Sequence, residues 1–239
     1  MKENKNFTEG IRDGIPICLG YFSVAFAFGI FAVDSGLSLW QALIISMTNV
    51  TSAGQLAGVP IIVAGGTLAE LAIAQFVINL RYALMSVSLS QRLGQTVGLL
   101  DRFIISFMNT DEVFAVASGK KTQVGRKYLY GLILTPYIGW SAGTFLGAGA
   151  GNILPQSVVS ALGIAIYGMF VAIVMPEARK SGATALCVLT AVVFSCCFKY
   201  IPLLSVVPAG FTIIICAVAA SVIFAVIAPI SVEEAEIDE

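Results

Sequence analysis

Charged residues are scarce in this sequence, and histidine is absent altogether. Only 11% of the 239 residues are charged, whereas an ordinary soluble domain carries about 25%. Together with a mean hydropathy of +0.92, this scarcity excludes a normal water-soluble fold and a disordered chain. The lack of histidine excludes imidazole catalysis, histidine metal ligands and the usual switch near neutral pH.

Recognisable catalytic motifs are missing as well. The sequence has no Walker loop, dinucleotide-binding fingerprint, metal-ligand set or nucleophile elbow, so we predict a protein that is not an enzyme and needs no cofactor or metal. Basic and acidic residues number 13 and 14, and this balance predicts no nucleic-acid surface. The five cysteines lie in apolar stretches without a CxxC pair, which predicts packed free thiols.

Long uncharged runs dominate what is present. A helix of about 20 residues crosses the hydrocarbon layer of about 30 Å, and continuous apolar runs favour helices over barrel strands. We therefore predict an all-α polytopic membrane protein of seven or eight spans, with one transmembrane domain over 14–228. The longest runs hold two spans, or a span plus a re-entrant piece. The predicted spans are 14–33, 40–63, 67–90, 128–149, 157–176, 182–199 and 204–228, with 101–118 as the eighth.

Two orientations follow from the placement of basic residues, which favour the cytoplasm. Eight spans with an inside N-terminus put nine basic residues inside and three, Arg92, Arg102 and Lys199, outside. Seven spans with an outside N-terminus give eight inside and four outside. We prefer the first, which makes 1–13 a cytoplasmic segment. Both orientations make 229–239 an acidic cytoplasmic tail, and the first apolar run is expected to be a retained span, not a signal peptide.

A faint internal repeat accompanies these spans. Arg81-Tyr82 recurs as Lys199-Tyr200, and Gly66-Thr67 as Ala183-Thr184, at shifts of 118 and 117 residues. Chance is one explanation in so biased a composition. The other is a two-fold repeat with halves 14–118 and 128–228, a construction typical of secondary transporters. Eight spans would make the halves parallel, and seven would make them inverted.

A first polar cluster lies in the middle of the apolar run 40–63. It predicts a helix broken near 48–60, whose freed backbone groups line a cavity. Such half-helix ends bind a carboxylate through N–H groups and an ammonium group through C=O groups. Close packing of small residues is the alternative, but Asn49 and Gln55 are long for that role. The cluster comprises Thr48, Asn49, Thr51, Ser52, Gly54, Gln55, Gly58 and Pro60.

Two further polar clusters follow it along the chain. The spacing of Gln75, Asn79, Tyr82, Ser86 and Ser90 puts them on one helix face, as a wall of a substrate path or as a hydrogen-bonded helix contact. Arg81 either snorkels outward or pairs with an acid of the third cluster. That cluster, Asn109-Thr110-Asp111-Glu112, is an ion-coupling site or the cap of a short helix, and the two readings are compatible.

Several of these stretches resemble the AzlC family. The matching segments are Ser52–Ala57, Ala64–Glu70, Ile78–Tyr82 with Ser88–Ser90, and Thr110–Ala115. The resemblance implies the large subunit of a branched-chain amino acid exporter in the bacterial cytoplasmic membrane. It also implies a partner, a small AzlD-like membrane subunit.

The sequence thus predicts a secondary exporter of branched-chain or other hydrophobic amino acids. Without an ATP-binding motif, the energy must come from an ion gradient or a separate subunit. A passive channel or a non-transporting scaffold are the rival hypotheses. From the polar clusters we assign Asp111 and Glu112 to ion coupling and Arg81 to charge pairing. Substrate binding is assigned to Asn49, Ser52, Gln55, Gln75, Asn79 and Tyr82.

Overall fold

The computed structural model confirms an all-helical architecture. It describes residues 3–4, 6–150, 154–155, 157, 171, 174–175, 178–179, 181–204 and 206–228. Most of the predicted span 157–176 and the tail 229–239 therefore lie outside the described residues. The elements, in chain order, are β1 Glu3–Asn4, α1 Phe7–Asp34, α2 Leu39–Thr48, α3 Ser52–Val63, α4 Leu68–Ser90, α5 Leu99–Phe107, α6 Asp111–Ser118, β2 Gln123–Val124, α7 Arg126–Ala150, α8 Gly182–Tyr200 and α9 Ala209–Ile227.

Helix length separates these elements into two classes. Within the described residues, α1, α4 and α8 are long and apolar enough to cross a membrane, and α7 has a comparable 25 residues. By contrast, α2 and α3 have 10 and 12 residues, about 15 and 18 Å at about 1.5 Å per residue. Neither reaches across about 30 Å of hydrocarbon. All five cysteines are free thiols, as predicted.

Helices α1 and α7 run parallel in close contact. The strands that precede them pair in parallel, with Glu3 opposite Gln123. Further along both helices, a Cβ added at Gly139 would lie 2.6 Å from the Cys18 backbone oxygen. A Cβ added at Gly143 would lie 2.5 Å from the Phe22 backbone oxygen. Small residues at these positions bring the two backbones together, as in close membrane-helix packing. The N-terminal ends of both helices therefore lie at the same end of the molecule.

This shared end carries a concentration of positive charge, and we call it the basic end. Lys120 Nζ pairs there with Asp13 at 2.7 Å and Glu9 at 2.9 Å. Burial disfavours the charged lysine, but the hydrogen bonds to Asp13 and Glu9 outweigh it and raise the pKa of Lys120 above its usual value. The basic residues at this end are Arg12, Arg92, Arg102, Lys120, Lys121, Arg126 and Lys127.

Helices α2 and α3 form a first hairpin, which enters from the opposite end. α2 runs antiparallel to α7 and toward the basic end, and Trp140 Nε1 of α7 donates to the Ser46 backbone oxygen at 3.1 Å. After the turn, α3 climbs back, and Val59 packs in one cluster with Phe28 and Ala148 near the far ends of α1 and α7. The break predicted within the segment 40–63 is therefore present, and the two half-helices fold back on each other.

Helix α4 is the crossing that follows. It starts near Gly65, whose φ of 71° is in the left-handed region that favours glycine. It runs antiparallel to α3, with Gln75 Nε2 donating to the Gly54 oxygen at 2.7 Å. Just beyond its end, Val124 N donates to the Arg92 oxygen at 3.0 Å, so α4 ends at the basic end.

Helices α5 and α6 form a second hairpin, which enters from the basic end. Near its start, the Tyr130 hydroxyl of α7 donates to Asp101 at 2.8 Å. The chain turns after Phe107, and α6 runs back along α1, from Glu112 beside Tyr21 to the Lys120 region. The segment 101–118, predicted as an eighth span, is therefore a re-entrant pair of short helices.

These placements correct both predicted topologies, because the predicted spans 40–63 and 101–118 each fold into a hairpin of two short helices. The seven-span alternative puts the N-terminus and the 119–127 region on opposite sides, whereas the structure joins them through β1 and β2. The eight-span version places Arg92 and Arg102 on the side opposite the N-terminus, which is wrong. Both residues lie at the basic end, because the α5–α6 hairpin enters from that end and returns to it. α4 is the single crossing between the parallel helices α1 and α7.

An inverted arrangement results. α1 crosses away from the basic end, and the α2–α3 hairpin follows from the end that α1 reaches. α4 crosses back in the opposite direction, and the α5–α6 hairpin follows from the basic end. Inverted-topology units of this kind are a common construction in secondary transporters. They differ from the repeat predicted above at shifts of 117 and 118 residues, in whose second half the predicted span 157–176 lies mostly outside the described residues.

Candidate transport site

The turns of the two hairpins meet beside a polar cavity of about 210 Å³, which we call the central cavity. The turn after α2 and the start of α3 form one side, and the start of α6 forms another. α1, α4 and α7 complete the wall. The lining residues are Tyr21, Val50, Thr51, Ser52, Ala53, Ile78, Arg81, Tyr82, Thr110, Asp111, Glu112 and Trp140.

Charges of both signs face this cavity. Arg81 Nη1 lies 2.6 Å from Asp111 Oδ2, and each side chain is about half exposed. This is one of the pairings that the sequence predicts for Arg81. Glu112 accepts a hydrogen bond from the Tyr21 hydroxyl of α1. With both acids ionised, the cavity carries one positive and two negative charges, so Arg81 balances Asp111 and leaves Glu112 as the uncompensated charge.

Two helix N-termini point into the central cavity from opposite ends of the molecule. Thr51 precedes α3 and Thr110 precedes α6, and neither side chain makes a capping hydrogen bond. The Thr51 hydroxyl instead accepts a hydrogen bond from Tyr82 at 3.1 Å. The first N–H groups of a helix have no partner within it, and the positive dipole end favours an anion. The predicted short helix therefore begins at Asp111, but the Thr110 side chain does not cap it, and the two acids of its first turn line the cavity.

Three of the predicted binding residues form a separate network between α3 and α4. Gln75 Oε1 accepts from Asn49 Nδ2 at 2.9 Å and from Asn79 Nδ2 at 3.3 Å. Gln75 Nε2 donates to the Gly54 oxygen, and a Cβ at Gly54 would lie 2.5 Å from Gln75 Oε1. These side chains hold the first hairpin on α4 and do not line the central cavity. Their part in substrate binding stays a prediction.

Gln55 lies apart from both groups. Its side chain is 1% exposed, and neither amide atom has a hydrogen-bond partner among the described residues. A buried, unpaired polar group costs about 1–3 kcal/mol. Of the predicted substrate residues, Ser52 and Tyr82 therefore line the central cavity, whereas Gln55 is buried on α3 without lining it.

Sequence reasoning missed two aromatic residues of this site. Tyr21 and Trp140 pack edge to face with ring centroids 5.0 Å apart, and both line the cavity. They lie within continuous apolar runs, where an aromatic residue gives no distinctive signal. One usable signal was overlooked: Met47-Thr48-Asn49 and Met108-Asn109-Thr110 mark the two hairpin turns with similar residues.

Comparisons with known proteins relate this chain to membrane proteins. A family model described as AzlC protein matches residues 16–154. The chain is 30% identical over 194 residues to the inner membrane protein YgaZ of Escherichia coli K12, covering 78% of each chain. It is 32% identical over 181 residues to an uncharacterized membrane protein of Archaeoglobus fulgidus, covering 75% of this chain and 79% of the relative. No solved structure matches.

Proposed function

Because this chain belongs to the AzlC family, we propose that it is a secondary transporter that exports branched-chain or other hydrophobic amino acids. The observation that carries the proposal is the central cavity at the meeting point of two re-entrant hairpins. Secondary transporters commonly bind substrate near the bilayer midplane, between the ends of discontinuous helices. An interrupted backbone inside a membrane is tolerated where it lines such a cavity.

The charge arrangement suits a zwitterionic head group. The carboxylate is directed to the N-terminus of α3 at Ser52 and to Arg81, where N–H donors and positive charge are available. The ammonium group is directed to Glu112, since Arg81 already neutralises Asp111. The Tyr82 hydroxyl lies beside the proposed carboxylate position, because it donates to Thr51 and accepts a hydrogen bond from Arg81.

Substrate selection beyond the head group is expected to be broad. An apolar pocket discriminates a single methylene by only about 1–3 kcal/mol, so leucine, isoleucine and valine should all be carried. The chain has no nucleotide-binding motif, and we propose that an ion gradient drives export through Glu112 and Asp111. A small AzlD-like membrane subunit is the proposed partner, and the bacterial cytoplasmic membrane is the proposed location.

Reconstitution tests this proposal against its rivals. We expect vesicles that contain the protein and its small partner to move radiolabelled leucine uphill, and an uncoupler to abolish that movement. Downhill leakage alone would favour a passive channel. The absence of any flux, combined with a deletion strain that exports leucine, isoleucine and valine as fast as its parent, would favour a non-transporting scaffold.

A further inference from the structure

A second cavity of about 300 Å³ lies between α4 and α5, and we call it the lateral cavity. Its walls are mainly apolar, with Leu89 and Leu93 on one side and Phe103 and Ile105 on the other. It lies toward the basic end, because α4 finishes there and α5 begins there. An apolar cavity of this size accommodates a small aliphatic molecule.

The lateral cavity adjoins the central cavity. Asn109 lines the lateral cavity, and the next residue along the chain, Thr110, lines the central one. On α4, Ser86 lines the lateral cavity one helical turn beyond Tyr82, which lines the central one. Asn109 Nδ2 donates to Ser86 Oγ at 3.1 Å, so this hydrogen bond joins the two residues of the lateral cavity that lie next to the central one along the chain.

Asn109 has an unused acceptor at this boundary. Its side chain is 2% exposed, and its Oδ1 atom has no hydrogen-bond partner among the described residues. Buried amide oxygens are normally paired, because leaving one without a donor is costly. A ligand with a donor group and an aliphatic body would satisfy both Asn109 and the apolar walls.

We propose that the lateral cavity is the entrance site for an aliphatic amino acid at the basic end. The substrate's side chain packs against the apolar walls, and its carboxylate faces Arg102 of the same lining. Its ammonium group donates to Asn109 Oδ1 once Asn109 turns that covered atom toward the cavity. Opening of the link between Asn109 and Ser86 then admits it to the central cavity. This inference rests on the proposed function, since it takes the transported amino acid as the occupant.

The first test removes the acceptor. Asn109→Ala should weaken leucine binding to the purified protein about 10- to 100-fold, as expected for a lost hydrogen bond to a charged group. Leucine is compared with 4-methylpentanoate, which lacks the ammonium group. Both proteins carry Glu112→Gln, which removes the proposed ammonium partner in the central cavity. The protein that keeps Asn109 should prefer leucine, and the Asn109→Ala variant should lose that preference, which a merely structural defect would not produce.

The second test fills the cavity. Ser90 lines it, with Oγ donating to the Val87 oxygen. Ser23 makes the same kind of bond to Leu19 on the exposed face of α1. Ser90→Phe should raise the KM for leucine presented from the basic end at least tenfold, whereas the matched control Ser23→Phe should not.

The outcomes separate the inference from the proposed function. Leucine flux with unaltered binding in both Asn109→Ala and Ser90→Phe would overturn the inference and leave the transporter intact. Leucine binding that depends on Asn109, without flux in the wild type, would support the site and overturn the transport proposal. Neither binding nor flux, or a copurified lipid that leucine does not displace from the cavity, would overturn the inference.

Discussion

Arg81 in the middle of α4 and Asp111 at the first residue of α6 form an ion pair of 2.6 Å across the central cavity. The pair connects a membrane-crossing helix to the turn of a re-entrant hairpin. Because both side chains are about half exposed to the cavity, the pair is accessible to a charged substrate. Its disruption would therefore couple substrate binding to the position of the hairpin.

Loss of one partner of this pair should impair transport. We expect Arg81→Ala or Asp111→Ala to lower leucine flux about tenfold at matched protein levels, since an unpaired charge is left at the cavity. A double-mutant cycle provides the check. The double variant should lose less than the product of the single effects, and strictly multiplicative losses would contradict the coupling.

Replacement of Glu112, the acid without a counter-charge, should separate ion coupling from the movement of leucine through the protein. Glu112→Gln keeps the side-chain shape and removes the negative charge beside Tyr21. Because Glu112 is also the proposed partner of the substrate's ammonium group, the KM for leucine should rise. At saturating leucine we expect downhill exchange to persist and uphill export to be lost, measured in vesicles with and without an imposed ion gradient. Glu9→Gln, at the basic end and outside the cavity, is the control. Uphill export that survives Glu112→Gln would remove this residue from the coupling step.

Close packing of α1 against α7 should make Gly143 intolerant of larger residues. A Cβ there would meet the Phe22 backbone oxygen at 2.5 Å, and overpacking typically costs about 1–3 kcal/mol or more. Gly143→Ala should lower the thermal unfolding temperature in detergent. Gly149→Ala is the matched control, because its Cβ would meet only Leu39 at an ordinary 3.9 Å. Equal stability of the two variants would contradict the contact.

The buried amide of Gln55 offers a test of function against stability. Because neither amide atom is paired in the structure, Gln55→Leu should raise the unfolding temperature by removing a desolvated polar group. If the side chain takes part in transport, the same variant should lower leucine flux while protein levels hold. A variant that is more stable and equally active would remove Gln55 from the transport site.

Sidedness has a direct prediction. Basic loops favour the cytoplasm, and the basic end joins the N-terminal strand to the 119–127 region. A reporter at the N-terminus and a thiol label at Lys121→Cys should therefore both report the cytoplasmic side, whereas Ser35→Cys should be labelled from outside. Native cysteines are replaced first, with flux as the check. Opposite sides for the N-terminus and residue 121 would contradict the arrangement.

The helical membrane class and most helix boundaries could be predicted from the sequence, because bilayer thickness sets a length that apolar runs must meet. The break near Asn49 was predictable since amides and hydroxyls are costly in hydrocarbon. The sequence did not predict that each hairpin returns to the end from which it enters, because the same polar residues also suit a kinked span. The contacts of Val59 with Phe28 and of the Lys120 loop with α1 distinguish a hairpin from a kinked span.

Partner assignments were predictable where charge was scarce and ambiguous where polar residues were many. Arg81 had few possible counter-ions, so the sequence offered a pair with Asp111 or Glu112 beside an outward orientation, and the structure selects Asp111. Gln75 and Tyr82 lie on one helix face, yet Gln75 fastens α4 to Gly54 while Tyr82 faces the central cavity. Gln75 and Tyr82 are seven residues apart on the same face of α4. Their spacing does not show where the first hairpin ends, and the end of that hairpin decides which of the two side chains faces the cavity.

The meeting of two short hairpins from opposite ends also has an electrical consequence. The transmembrane voltage falls mainly across whatever thin layer separates the two aqueous sides, and here that layer lies near the hairpin turns. Moving one elementary charge through the full field does work of about 2.3 kcal/mol per 100 mV. An amino-acid zwitterion carries no net charge, so any voltage dependence of leucine export would count the charges of the coupling ion and of the charged side chains that move with the hairpins.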